Sequence, residues 1–136
     1  MEIAMTTSNV SALQELAARY GDAWNSHDLD AIMSMHSEDT SYHFHGLGGP
    51  HHGLQAVRAA FAKEMALIEN MRFNFRAMLF GEIHFVFEAI VTGITTAGVD
   101  VSFDMVGLLI VNDGLIVTND LYADLVALQG QLQRKS

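Results

Sequence analysis

The sequence predicts an α+β fold in which three helices come first and a long, curved antiparallel sheet follows. In roughly the first half of the chain, apolar side chains recur at spacings of three and four, which is typical of amphipathic helices. From Met71 onward the period changes to two, as expected for strands. Two of the predicted strands exceed a dozen residues, so the sheet must coil to stay packed on a small domain. A cone-shaped sheet with the helices on its concave face satisfies these observations and encloses a pocket.

Three helices are predicted before residue 69, and each has a recognisable start. Ser8 or Ser11 is expected to cap the first helix, and Asp28 the second. Gly53 opens the third, after a loop rich in glycine. The buried stripe of the first helix is expected to comprise Val10, Leu13, Ala17, Tyr20 and Trp24.

The strands follow from alternation and from turn residues. A short strand is expected at 40–45, and the long strands at 71–80, 82–95, 99–111 and 115–122. The tripeptide at 112–114, Asn-Asp-Gly, is a strong hairpin signal between the last two. Gly93 and Gly107 lie within long strands, where we expect bulges or kinks that bend the sheet. A short helix at 124–133 completes the chain.

Composition limits the classes of function. Residues 1–136 amount to one domain, half of the residues are apolar, and the net charge is −9. Nucleic-acid binding needs a basic surface and is not expected, and neither is binding to an anionic membrane. The chain has no cysteine, and neither a signal peptide nor a membrane-spanning stretch can be recognised, so we expect a cytoplasmic protein.

Several motifs occur in an order that is characteristic of one superfamily. They are the segment from Tyr20 through Trp24-Asn25 to Asp30, the acidic pair Glu38-Asp39, the helix start Gly53-x-x-Ala56-Val57-Arg58, the turn Asn112-Asp113-Gly114, and the ending that begins Tyr122-Ala123-Asp124. With these motifs the chain resembles, over nearly its whole length, the SnoaL-like group of the nuclear transport factor 2-like superfamily. The resemblance implies a cone-shaped fold that hosts polyketide cyclases, isomerases, dehydratases, epoxide hydrolases and plain binding proteins.

The resemblance also implies roles for two residues. Tyr122-Ala123-Asp124 is similar to a motif of the cyclases, in which the aspartate is the acid/base of an aldol ring closure. Asp124 is equally well placed to be the N-cap of the last helix. Tyr20 matches the tyrosine with which the related ketosteroid isomerases stabilise an enolate, and the alternative is a core tyrosine.

Other positions depart from the resemblance. Phe44 stands where the isomerases have their base, and Gly107 falls near their protonated carboxyl group. Asn25, after Trp24, stands where the dehydratases have an aspartate. The isomerase and dehydratase mechanisms are therefore not expected in their usual form.

Five of the seven histidines lie between residues 36 and 52. His43 and His45 share one face of a strand, and His45 is our candidate for an assisting catalytic group. A metal site, a role at the pocket rim and a bystander role remain alternatives, and we assign no metal ligand. Glu88 and Asp104 interrupt apolar strands, and we expect them to face solvent or to pair with arginines.

The strand at 99–111 is apolar on both faces, and the helices cover only one. We expect the other face to be buried against a second copy in a homodimer. The residues expected to contact a ligand are Trp24, Tyr42, Phe44, Phe61, Phe85, Phe87, Met105 and Tyr122.

Three functions remain open. The first is an acid/base enzyme that acts without a metal or organic cofactor on a small apolar carbonyl compound, with Asp124, Tyr20 and His45 at its site. The second is a dimeric, non-catalytic module that binds a small apolar ligand. The third is an interaction domain with an incidental cavity. The low number of basic residues favours a neutral ligand over a polyanion.

Overall fold

A computed structural model describes residues 2–134 of the chain, with side chains from residue 10 onward. The elements, in order, are α1 (Glu2–Asn25), α2 (Leu29–Ser34), β1 (His36–Phe44), β2 (His51–His52), α3 (Leu54–Leu67), β3 (Ile68–Phe80), β4 (His84–Thr95), β5 (Asp100–Asn112), β6 (Leu115–Ala123) and α4 (Leu125–Leu132). The α+β fold with three N-terminal helices is therefore confirmed.

All six strands belong to one curved, unclosed sheet with the order β2-β1-β6-β5-β4-β3. The strands from β3 to β6 form the expected antiparallel meander. The β1 strand, however, pairs in parallel with β6, so the sheet is mixed rather than purely antiparallel. The sequence does not reveal this pairing, because the two strands are separated by about seventy residues and share no turn.

The helix starts agree with expectation at two of three positions. The Asp28 carboxylate accepts a hydrogen bond from the backbone N–H of Ala31, and Gly53 precedes α3 with a φ of 87°, which glycine adopts at little cost. Ser8 and Ser11 lie inside α1, which begins at Glu2, so neither is its N-cap. His36 begins β1.

The two glycines within strands do not mark bulges in their own strands. The β4 and β5 strands pair without a register shift past both Gly93 and Gly107, and the shifts lie in the pairings β1/β6, β3/β4 and β5/β6. Gly107 is instead covered by the Phe87 ring of the neighbouring strand, with no room for a Cβ atom. These glycines therefore permit close packing on the inner face of the sheet.

The core lies between the helices and this inner face. Trp24 of α1 packs edge-on against Phe61 of α3 and Phe73 of β3, with ring centroids 4.8 and 5.5 Å apart. Burial alternates along β5. Phe103 and Met105 are buried on the inner face of the sheet, whereas Val106 is exposed on the outer face. Among the described residues, no helix combines the length and apolar character that crossing a membrane requires.

Candidate functional site

The inner face of the sheet and the helices enclose a cavity of about 80 Å³. Its wall is mostly apolar and aromatic, and three of its residues, Leu47, Leu67 and Phe75, are partly exposed and mark its solvent side. The polar side chains in its wall are Tyr20, Glu64 and Asn119. A small set of polar groups in an apolar wall is the usual composition of a binding site for a small molecule.

Glu64, from the last turns of α3, is the acidic residue of this wall. Burial raises the pKa of its carboxyl group from 4.5 to about 7, because the charged form loses hydration. The Tyr42 hydroxyl donates to the Glu64 carboxylate, with distances of 2.8 and 2.6 Å to Oε1 and Oε2, and this bond lowers the pKa in part. The carboxyl group can therefore both accept and donate a proton near neutral pH.

Tyr20 lies at the centre of a buried chain of hydrogen bonds. Its hydroxyl is 2.8 Å from His36 Nε2 and 3.1 Å from Asn119 Nδ2, which donates to it. The other ring nitrogen of His36, Nδ1, is 2.7 Å from the Thr40 hydroxyl. Burial raises the pKa of Tyr20 above its ordinary value and lowers that of His36 to about 4, so both side chains are neutral at pH 7.

The tautomer of His36 decides where the Tyr20 proton points. When His36 carries its proton on Nε2, it donates to the Tyr20 oxygen, and the Tyr20 O–H is free to donate into the cavity. His36 Nδ1 then accepts from the Thr40 hydroxyl, so both ring nitrogens of His36 have a partner.

Asn119 leaves one polar atom without a partner. Its Oδ1 is buried and makes no hydrogen bond with any described residue. The residue is only 3% exposed and lines the cavity. A buried polar atom without a partner costs about 1–3 kcal/mol. Exchanging the amide's oxygen and nitrogen would still leave one of them unpaired.

Five of the eight expected ligand contacts lie in the cavity wall: Trp24, Phe44, Phe85, Phe87 and Met105. Tyr20, which was expected to be catalytic, lies there as well. Tyr42 and Phe61 are buried behind it, with ring centroids 4.7 Å apart, and Tyr42 reaches the site only through Glu64. Tyr122 points the other way: it is 48% exposed and lies outside the cavity.

Asp124 and His45 also lie outside the cavity wall. Asp124 is exposed, and its carboxylate accepts from the backbone N–H of Ala127 as the N-cap of α4, so the structural alternative for this residue is confirmed. His45 is half-exposed, and its Nε2 lies 2.8 Å from Asp120 Oδ1. The structure therefore does not bring Asp124 and His45 together with Tyr20.

Neither Glu64 nor Asn119 was predicted from the sequence as a site residue. Glu64 continues the buried stripe of Val57 and Phe61 at helical spacing, so an acid on an otherwise apolar helix face was the available signal. Asn119 shares the strand parity of the buried Leu121. That position places the Asn119 side chain on the inner face. The sequence predicts this only if it is known which alternate residues of the strand face inward.

A cone formed by one curved mixed sheet, with helices over its concave face and a cavity between them, defines the ketosteroid isomerase-like, or nuclear transport factor 2-like, fold. Residues 17–119 match the model of the SnoaL-like domain family. The chain belongs to this family.

Solved structures agree on the fold. A hypothetical protein with a ketosteroid isomerase-like fold from Catenulispora acidiphila, in complex with trimethylamine, is 22% identical with a TM-score of 0.78, covering 86% of this chain and 91% of the other. A proposed SnoaL-like polyketide cyclase from Jannaschia sp. CCS1 is 18% identical with a TM-score of 0.83, covering 93% and 94%. TerC, co-crystallized with polyporic acid, is 19% identical with a TM-score of 0.81, covering 90% and 99%. No curated protein matches the sequence.

Proposed function

We propose that the protein is an acid/base enzyme that acts on a small, mostly apolar carbonyl compound in this cavity, in an isomerase- or cyclase-type reaction. The observation that carries the proposal is the Glu64 carboxyl group, which lines an apolar cavity and has a pKa of about 7. A general base is most effective when its pKa lies near the working pH. A carboxylate that served only to solubilise the fold would lie on the surface, where it is fully hydrated.

Glu64 and Tyr20 divide the chemistry between them in this proposal. The Glu64 carboxylate removes a proton from the carbon next to the substrate carbonyl, and the electron pair of that C–H bond moves toward the carbonyl oxygen. Tyr20, a neutral phenol, donates its O–H to this oxygen and stabilises the enolate. The protonated Glu64 then returns the proton to another carbon of the enolate, or to the alkoxide that an aldol closure forms.

Asn119 adds a requirement on the ligand. Its unpaired amide atom lies on the same side chain that donates to the Tyr20 hydroxyl. A substrate with a hydroxyl or a second carbonyl close to the reacting one would supply the missing partner. We therefore propose that small hydroxy-ketones and diketones be tested first as substrates.

The test uses a probe reaction, because it needs no knowledge of the natural substrate. In 5-nitrobenzisoxazole a base removes one C–H proton, the N–O bond breaks, and a coloured cyanophenolate forms without any other reactant. The rate is expected to rise with pH through about 7, following ionisation of Glu64. Glu64→Gln should lower kcat/KM about 100-fold or more, since general-base catalysis contributes roughly that factor.

Glu38→Gln is the matched control, because it removes an exposed carboxylate from the same fold and should leave the rate unchanged. Equal activity of the Glu64→Gln and Glu38→Gln variants would contradict the role of Glu64. Saturable binding of the probe with no turnover in the unmodified protein would instead support the non-catalytic binding module.

We also propose that two copies associate through the outer face of the sheet. Leu79, Val106 and Tyr122 are exposed on this face, at 67%, 39% and 48%. Arg76 lies between Glu88 and Asp104 there, at 3.3 and 3.6 Å, so the acidic groups of the face are partly neutralised. Light scattering should give twice the 14.9 kDa mass of the chain, and Val106→Asp should give the single mass. A single mass for the unmodified protein at micromolar concentration would contradict the dimer.

A further inference from the structure

One cluster of possible metal ligands lies on the outer face of the sheet, away from the cavity. It consists of His43 in β1, His45 directly after β1, and Asp120 in β6. The parallel pairing of these strands sets His43 opposite Asp120, and the backbone N–H of His45 donates to Leu121 O at 3.0 Å. One ligand atom from each of the three residues lies within 4.8 Å of the other two.

The spacing of the donors suits a metal ion. His45 Nε2 is 2.8 Å from Asp120 Oδ1, and the rings of His43 and His45 are 3.8 Å apart. Donor atoms bound to one Zn²⁺ at about 2.0–2.1 Å lie roughly 3.3 Å from each other. An ion can therefore replace the proton between His45 and Asp120 with a small outward shift of the side chains.

Two further contacts restrict the orientation of the two histidine rings. His43 Nε2 is 3.0 Å from Gly48 O, and because a carbonyl can only accept, the proton of neutral His43 is on Nε2. Its Nδ1 lone pair is therefore free. Metal-binding histidines commonly donate their second N–H to a backbone carbonyl in this way. The Tyr122 ring stacks on His45 at 4.2 Å and 7°, which restricts rotation of the imidazole.

We propose that His43, His45 and Asp120 bind a divalent transition-metal ion of the zinc class. Two imidazoles and one carboxylate supply three ligands, and water completes the coordination because the His45 and Asp120 side chains are about one-third exposed. The net charge of −9 raises the local concentration of cations. The ion would cross-link β1 to β6, the only parallel pair among the described strands. This site is independent of the acid/base function proposed for the cavity.

The test measures binding of Zn²⁺ and Co²⁺ to the full chain after treatment with a chelator. Calorimetry should show one ion per chain, Co²⁺ should give the visible bands of a site with nitrogen ligands, and the midpoint of thermal unfolding should rise with added Zn²⁺. Asp120→Asn and His43→Gln should each weaken binding about tenfold or more. Light scattering of each sample shows whether binding depends on the oligomeric state.

His52→Gln is the control, since His52 is an exposed histidine outside the cluster and should bind as the unmodified chain does. Loss of binding in this variant to the same extent as in Asp120→Asn would overturn the proposal. Absence of one-to-one binding, or weak binding of several ions that Asp120→Asn leaves unchanged, would overturn it as well.

Discussion

The two faces of the sheet carry polar clusters of similar composition in opposite environments. Inside the cone, Glu64 and Asn119 lie in an apolar wall with Tyr20. On the outer face, His45 Nε2 lies 2.8 Å from Asp120 Oδ1, and both side chains are about one-third exposed. Strand β6 contributes to both, because Asn119 and Asp120 are consecutive and point to opposite faces. One step along a strand thus separates a desolvated group from a hydrated one.

The difference shows how burial selects chemistry. Desolvation raises the pKa of Glu64 to about 7 and lowers that of His36 to about 4, so both inner groups are driven toward their neutral forms. The outer groups keep access to water and to ions, which suits electrostatic pairing and metal binding. The inner carboxyl and imidazole groups are therefore desolvated, whereas His45 and Asp120 on the outer face are about one-third exposed.

The sharpest test of this comparison is the pH dependence of stability, where we expect the largest effect. The pKa of Glu64 is raised, so its stabilising contribution is complete below pH 4.5 and is lost as the pH rises through 7. At about 1.4 kcal/mol per tenfold change in proton affinity, the loss amounts to up to about 3 kcal/mol. The free energy of unfolding of Glu64→Gln, measured by urea denaturation, should therefore rise relative to that of the unmodified chain by up to this amount between pH 4.5 and pH 8.

His36 acts in the opposite direction. Its pKa is lowered, so its contribution is present above pH 6.5 and is lost as the pH falls toward 4. In the unmodified chain the two contributions partly cancel between pH 4.5 and 6.5. In Glu64→Gln the free energy of unfolding should consequently rise steadily from pH 4 to pH 6.5. A variant whose profile runs parallel to that of the unmodified chain would contradict the desolvation of Glu64.

The control on the outer face should show a much smaller effect. Asp120→Asn removes a carboxylate that is about one-third exposed, in a pair with His45 that solvent screens. Exposed pairs of this kind contribute about 0–1 kcal/mol, so we expect a change below about 1 kcal/mol in urea without metal. A change in the free energy of unfolding as large as the one expected for Glu64→Gln would remove the contrast between the two faces.

Sequence periodicity predicted the fold class and most of the helices and strands, but only part of the site. The alternation along β5 and the caps at Asp28 and Asp124 are local features, and local features are readable from the sequence. The contact of Tyr42 with Glu64 joins residues 22 apart, and the pairing of β1 with β6 joins residues about 77 apart. Neither contact can be predicted from the spacing of residues along the chain, because both depend on which elements the folded sheet places side by side.

Asp124 illustrates the limit of motif reasoning. The tripeptide that ends in Asp124 is similar to a cyclase motif, yet here the carboxylate is exposed and caps α4. Which carboxylate faces the cavity is decided by helix and strand parity, and that criterion selects Glu64 instead.

The central claim is that Glu64 is a desolvated carboxyl group that ionises near neutral pH, and a direct measurement is available. The carboxyl carbon of Glu64 can be followed by ¹³C NMR as a function of pH, with the resonance assigned by its absence in Glu64→Gln. We predict a titration midpoint at about pH 7. A midpoint near the ordinary value of 4.5 would contradict the account of the site.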